Sequence, residues 1–438
     1  MLQYICQEIV NILGGIKMRK LVLTLPFLFL ANLALASGFG LYEFSARGNA
    51  MGGAVLAGDA EPASLALNPA LITELPGKQI QTGITVVTAS GGVTYNGISA
   101  DSKRQWWPLP NIYYTQQIND RWWWGLGAMA RFGLSNDYTQ KDWMGPTASS
   151  LYHVGVTTYS VQPTVAFKAT DRLSLSLGAE VQYLNFTEKV HIPAAGGVDM
   201  NLDGDSYALS GILAMYYKAN EKVHFGASFR MRNDHSVRGP AKYSRNIPSA
   251  FVNGGDFWGD ITFPAQLAIG VSYRPVEKLL IEANWTNVFW SCFRAIDIYF
   301  DHAPGTGNPG LMNGGRTDLN NSKHYQDAYR IGVGAEYTLT DAIKLRGSFI
   351  YDKSPLNDEF MDVMLPVDDR YILGAGAGFK LSENVILDLS YSILFATSLN
   401  GTAFKEDYNT DPSTIYQLPV HYGSATSHLM GLSIRYKF

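Results

Sequence analysis

The chain has 438 residues, 16% of them charged, and a formal net charge of −4. So small a charge over this length gives no reason to invoke nucleic acid, and two cysteines supply no disulfide framework. Near-neutral hydropathy with 25 Tyr, 21 Phe and 9 Trp suits a chain whose outer face meets lipid and whose inner face meets water, with aromatic girdles at both interfaces.

From Met18 the chain reads Met18-Arg19-Lys20, then an apolar run from Leu21 that ends Ala34-Leu35-Ala36. That is a basic n-region, an apolar h-region and a small-residue cleavage site, and the run is too short for a spanning helix. The expected mature start is Ser37, with residues 1–36 holding upstream residues and a signal peptide. Cys6 would leave with them, and Cys292 would be the one mature cysteine. Residues 37–76 are rich in Gly and Ala and show no strand alternation, as expected of a plug ahead of a barrel. Pro69 fixes φ and removes a donor, and Asn68 can bond nearby backbone, so this pair is expected to lock a tight turn where the plug meets the wall.

A period of two then recurs through residues 77–438. Leu173, Leu175, Leu177, Ala179, Val181 and Tyr183 face one way, and Ser174, Ser176, Gly178, Glu180 and Gln182 the other. Leu279–Trp285 and Val385–Ile393 repeat the pattern. Strands of about ten residues, apolar out and polar in, are what a closed transmembrane barrel requires. Allotting about 26 residues per strand and connection gives fourteen strands. The stretches at 219–222, 340–341 and 382–384 suit periplasmic turns, and those at 136–158, 236–260, 302–323 and 400–422 suit extracellular loops. The third strand starts at Trp122 and continues through Phe132, Gly133 and Leu134. Glycine inside a strand often marks a bulge or bend, which is placed near Gly133 with Gly125 and Gly127 as weaker sites; the competing reading of each glycine is that it relieves crowding against the plug. At the C-terminus, Met430, Leu432, Ile434, Tyr436 and Phe438 lie on one strand face. This resembles the signal read by the outer-membrane assembly machinery.

Several stretches resemble the FadL/TodX family of outer-membrane transporters for long-chain fatty acids and other hydrophobic molecules. They are Gly38-Phe39, Glu43-Phe44-Ser45, Asn68-Pro69-Ala70-Leu71-Ile72-Thr73, Trp107-Pro108-Leu109-Pro110-Asn111, Gln117–Asp120, Asp327–Gly334, Tyr351–Pro355 and Leu365–Arg370, in the family's order. The resemblance implies a fourteen-stranded antiparallel outer-membrane β-barrel, likewise all-β, with a small N-terminal helical hatch at 37–76 filling the lumen. It also implies a luminal pocket reached from an extracellular groove, movement at the extreme N-terminus, and lateral exit through a kink in the third strand into the outer-membrane lipid. The hatch and gate residues would be Phe39, Glu43, Phe44, Asn68, Pro69 and Ala70, and the lateral opening would lie at Phe132, Gly133 and Leu134. A monomer without cofactor or metal is expected.

Parity places Arg330, Glu336, Arg346, Ser348, Asp352 and Arg370 in the lumen. Arg330, Arg346 and Arg370 are candidates for a carboxylate, since a guanidinium fork matches it in two bonds. The competing reading is a structural ladder with Glu336, Asp352 and Asp369. In the family a lysine just upstream of the Asp-Ala-Tyr-Arg stretch contributes to the pocket, and Lys323 stands nearby here. Three alternatives stay open: a channel for aromatic or alkane hydrocarbons, a general porin or adhesin, and an outer-membrane lipid-modifying enzyme. The last lacks a Gly-x-Ser-x-Gly nucleophile site, and its eight His are scattered.

Overall fold

A computed structural model describes residues 39–146, 149–193, 197–244, 255–300, 318–361, 363–364, 368–406 and 415–438. The expected signal peptide, the start at Ser37, Cys6, and parts of the 236–260, 302–323 and 400–422 stretches lie outside the described residues.

Fourteen antiparallel strands close into a barrel. In chain order they are β1 (Lys78–Ser90), β2 (Gln105–Gln117), β3 in two pieces (Trp122–Met129 and Gly133–Asp137), β4 (Ser150–Lys168), β5 (Leu173–Ile192) and β6 (Val198–Lys218). Then come four more strands in two pieces each: β7 (Val223–Arg230, Asn233–Tyr243), β8 (Gly255–Phe263, Gln266–Val276), β9 (Leu279–Val288, Ala295–Phe300) and β10 (Asp318–Ser322, Ala328–Thr340). The wall ends with β11 (Ile343–Asp352), β12 (Arg370–Lys380), β13 (Val385–Ala396) and β14 (Ala425–Lys437), and β14 pairs with β1 to close the ring.

Closure satisfies the backbone of a wall that has no water on its outer side. Alternation does the rest. Leu177 and Leu209 are 63% and 78% exposed on the outer face, while Glu180, Glu282, Arg346 and Arg370 are buried inside. The inward parity expected for Arg330, Glu336, Arg346, Asp352 and Arg370 holds at each position.

Two of the expected loops are corrected. Among their described residues, the 236–260 and 400–422 stretches are strand rather than loop: β7 and β8 continue as a paired ladder from Asn233↔Phe263 to Ala241↔Gly255. Leu399–Glu406 pairs with Ile415–Tyr422 in a separate four-stranded sheet that also takes Gly92–Tyr95 and Ile98–Asp101. That sheet carries its own apolar cluster, including Val93, Tyr138, Trp143, Met361 and Tyr422. Asn233–Tyr243 and Gly255–Phe263 alternate between buried and exposed like the rest of the wall.

Residues 39–76 lie within the barrel as two short helices (Ala46–Ala50, Ser64–Leu67) and a 3-10 turn (Pro69–Glu74). Glycines in the wall allow the close approach. A Cβ at Gly226 would lie 1.9 Å from the Leu56 carbonyl oxygen, and one at Gly334 would lie 2.4 Å from that of Met51.

Candidate functional site

The body of the N-terminal segment is held by charges and caps. Ser45 caps the first helix by accepting from Gly48 N, and its hydroxyl donates to Glu61 Oε1 at 2.7 Å. Arg47 donates to Glu336 Oε2 at 3.0 Å, and the same carboxylate takes Arg346 and Lys344 at 2.7 Å each. Arg346 also reaches Asp388 at 2.6 Å. Glu282 accepts from the backbone N–H groups of Leu56 and Ala57. Asn68, fully buried, accepts from Ala70 N at 3.2 Å and donates to the carbonyls of Leu56 (2.6 Å) and of Met215 in β6 (3.0 Å). Pro69 opens the 3-10 turn, where its missing N–H costs nothing.

The other end of the segment is held differently. Leu41 N donates to Arg131 O and Gly133 N donates to Phe39 O, both at 2.8 Å, and Gly40 bridges Phe132. Residues 39–41 thus pair, from inside the lumen, with the break in β3. The break itself spans Ala130–Phe132, with Gly133 and Leu134 as the first residues of the resumed strand, so it includes Phe132 and abuts Gly133 of the expected bend. Gly125 and Gly127 lie inside the unbroken first piece. A Cβ at Gly125 would meet Leu65, so that glycine makes room for the plug. Thr158 of β4 staples the break: its hydroxyl accepts from Phe132 N at 2.9 Å and bonds Phe132 O at 2.9 Å.

Beside the break the wall has a slit. The β2–β3 ladder runs from Gln117↔Trp123 only to Ile112↔Ala128, and contact resumes where Lys103 N donates to Asp137 O. Gln117 N points to Gly77 beside β1, so the alternation of the ladder turns the even residues of β2 toward the slit. Two of those positions are Pro108 and Pro110. The Trp107–Asn111 motif therefore removes N–H donors from the edge that has no partner strand, where an orphan donor next to lipid costs most.

The segment 39–41, which meets the wall through one isolated β-bridge, divides two apolar clusters. Phe39 points into an aromatic cluster, with ring centroids 4.8 Å from Trp290, 5.2 Å from Phe293, 5.5 Å from Phe263 and 6.3 Å from Phe132. Leu41 belongs to an aliphatic cluster with Trp107, Leu109, Ala130, Ile350, Ile372 and Leu394, which borders the slit. Wall breaks build the aromatic cluster. Phe132, Phe263, Trp290, Phe293 and Tyr325 sit at or beside the interruptions of β3, β8, β9 and β10. Sequence reading missed Phe263, Trp290, Phe293 and Tyr325. The lapse of alternation at Phe289-Trp290 and the Pro264 after Phe263 were the available signals.

The candidate basic residues part company. Arg346 is spent on Glu336 and Asp388, which fits the structural ladder. Arg330 stacks over the Tyr42 ring at 4.0 Å and donates to Gly52 O at 3.2 Å. Arg370 donates to Asp352 at 2.5 Å, whereas Asp369 receives the Tyr351 hydroxyl and Ser354 N and is no member of the ladder. Lys323 is buried, with Nζ 3.4 Å from Sδ of Met364, a member of the aromatic cluster. Arg131, also missed, shares Glu180 with Arg230 beneath that cluster. Among the other expected hatch residues, Glu43 accepts from Tyr42 N, while Phe44 and Ala70 pack in apolar clusters against the wall.

Residues 27–438 match the model of the family described as outer membrane protein transport protein (OMPP1/FadL/TodX). The chain belongs to that family. It is therefore an outer-membrane β-barrel of a transport family for hydrophobic compounds, not an enzyme. It is 24% identical to a 47 kDa outer membrane protein of Pasteurella multocida, covering 96% of this chain and 99% of that one. It is 21% identical to the long-chain fatty acid transport protein of Escherichia coli O6:H1, covering 87% and 92%. The crystal structure of a Pseudomonas aeruginosa FadL homologue superimposes with a TM-score of 0.77 at 17% identity, covering 92% of this chain and 100% of that one.

Proposed function

We propose that this barrel takes up long-chain fatty acids or closely similar hydrophobic molecules, and that displacement of Phe39–Leu41 opens a sideways path. The observation that carries the reading is the placement of one short segment. Phe39 fills the aromatic cluster, Leu41 fills the aliphatic cluster beside the slit, and the backbone between them is bonded to the break in β3. A chain-like apolar ligand entering the aromatic cluster competes with the Phe39 ring. Loss of that ring from its cage leaves Leu41 and two backbone bonds to hold the segment, the bonds with a net worth of about 0.5–1.5 kcal/mol each. Once the segment leaves, the aromatic cluster joins the aliphatic one, and the slit beside Trp107 and Leu109 leads to the outer-membrane lipid. An apolar path suits such a ligand because transfer to it from water is favourable along its whole length.

Lys323 at the rim of the aromatic cluster supports a carboxylate ligand. A Lys323→Met substitution should weaken fatty-acid binding about tenfold, the worth of one charge-assisted hydrogen bond, and leave binding of an alkane of equal length unchanged. Equal weakening of both would remove the carboxylate from this reading. The ring cage itself favours a second reading, a monoaromatic hydrocarbon stacked among Trp290, Phe263 and Phe293. It is tested in the same titration, as preferential binding of that hydrocarbon that ignores Lys323. The reading includes a monomeric barrel assembled through its last strand, whose Phe438 stands 46% exposed at the end of β14.

A further inference from the structure

The aliphatic cluster has one polar corner. Asp352 of β11 and Arg370 of β12 stand directly opposite each other, next to the opposed pair Ile350 and Ile372 that lines the cluster. Arg370 spends only Nη2 on Asp352, at 2.5 Å. Its Nε and Nη1, the Oδ1 of Asp352 and the hydroxyl of Tyr42 are buried and have no hydrogen-bond partner among the described residues. Tyr42 follows Leu41, outside the 39–41 segment, its ring lies 4.0 Å from the Arg330 guanidinium, and the charges of Asp352, Arg330 and Arg370 reach its hydroxyl. Buried polar groups are nearly always satisfied, and each one left unpaired costs about 1–3 kcal/mol. Two free donors on a guanidinium, one free carboxylate oxygen and one free hydroxyl, gathered at the edge of an apolar cluster, match a group that both accepts and donates.

We infer that Arg370, Asp352 and Tyr42 form a second carboxyl-binding subsite, on the slit side of the Phe39–Leu41 segment, which receives the head group of a fatty acid after the segment has moved. This rests on the transport reading above. The head group would pass from the Lys323 amine to the Arg370 guanidinium while the alkyl chain slides among Ile350, Ile372 and Leu394, the residues that Leu41 uncovers. The carboxyl group accepts from Nε, Nη1 and the Tyr42 hydroxyl, and in its protonated form donates its O–H to Asp352 Oδ1. The subsite thus spares the head group a bare crossing of an apolar interior, where an unpaired charge is most costly.

The test uses the full-length barrel in proteoliposomes with hexadecanoate and hexadecane. Arg370→Gln is made together with Asp352→Asn, so that no lone charge is left buried. The acid should then move about 10- to 100-fold more slowly, hexadecane at its former rate, and the affinity of the resting barrel for the acid should hold, since Lys323 is untouched. Tyr42→Phe, which removes one hydroxyl and keeps the ion pair, should slow the acid alone about 3- to 10-fold, and it carries the test by itself if the double variant fails to assemble. Equal slowing of acid and alkane, or a fall in resting affinity that accounts for the slower rate, overturns the subsite and leaves transport standing. A correctly assembled wild-type barrel that moves neither compound overturns the transport reading and the subsite with it.

Discussion

The two ends of the N-terminal segment are fixed by different forces. Its body, from Ser45 to Glu74, docks through buried ion pairs and side-chain caps: Arg47 on Glu336, Leu56 and Ala57 on Glu282, Asn68 on Met215. Its first residues, 39–41, dock through one aromatic ring, one leucine and two backbone bonds. Breaking a buried ion pair strands a charge and costs several kcal/mol, whereas an apolar ligand can replace a ring at almost no cost. On the gating proposed above, one end would serve as an anchor and the other as a latch, and the latch is the end whose backbone is bonded to the break in the wall.

The strongest way to break this comparison is to remove what the latch holds. Between Met129↔Ser160 and Gly133↔Thr157, β3 carries one residue more than β4, so deleting Ala130 joins the two pieces of β3 in register and takes away the bulge that residues 39–41 pair with. Uptake should fall by at least about a hundredfold, the loss expected when a complete path closes, while the barrel still assembles and resists denaturant. Normal uptake by an assembled variant would show that the slit is not the exit.

The anchor comes next. Glu336→Ala leaves Arg47, Arg346 and Lys344 around an empty position and should destabilise the protein by about 3–5 kcal/mol in denaturant unfolding. If the variant instead unfolds at the wild-type midpoint, the plug is not held by this ladder. The latch is expected to be cheaper to release. Phe39→Ala removes a buried ring, a change worth about 3 kcal/mol, but the loss falls on local opening rather than on the barrel. Hydrogen exchange at Gly133 N–H should quicken by about two orders of magnitude while exchange in β11–β13 holds. Coincident changes in both would mean that latch and wall open as one unit.

Much of this was legible in the sequence because a transmembrane wall obeys a simple rule. Alternation gave the inward parity of Arg330, Arg346, Asp352 and Arg370 without a structure, and the Gly- and Ala-rich stretch after residue 37 stood out by lacking it. The aromatic cluster was hidden for the same reason. Trp290, Phe293, Phe263 and Tyr325 face inward because their strands break, and a break reads locally as noise in the period. The break in β3 was sought at a glycine, yet it is set by what satisfies the freed backbone, namely the Thr158 hydroxyl from the next strand and Phe39–Leu41 from about ninety residues upstream. Neither partner lies within the window in which a period can be read. The same holds for Arg346, whose fork is filled by Glu336 from the neighbouring β10 and by Asp388 from β13, two strands away.

The smallest expected effect separates the roles most finely. Asn68 joins the plug to itself through Ala70 N and Leu56 O, and to the wall through Met215 O. Asn68→Ala loses the cap of the 3-10 turn and leaves carbonyls unpaired, a cost of about 1–2 kcal/mol, well below that of Glu336→Ala. If Asn68 only anchors, the variant should lose that stability and keep both its uptake rate and its exchange at Gly133. If Asn68 also transmits the state of the latch, Gly133 should exchange faster in step with the lost stability, because Leu56 and Asn68 lie on the one covalent path from the latch to the wall strands. Measured beside Phe39→Ala, that single amide decides whether the boundary between anchor and latch falls at Ser45, where the first cap begins, or further along the segment.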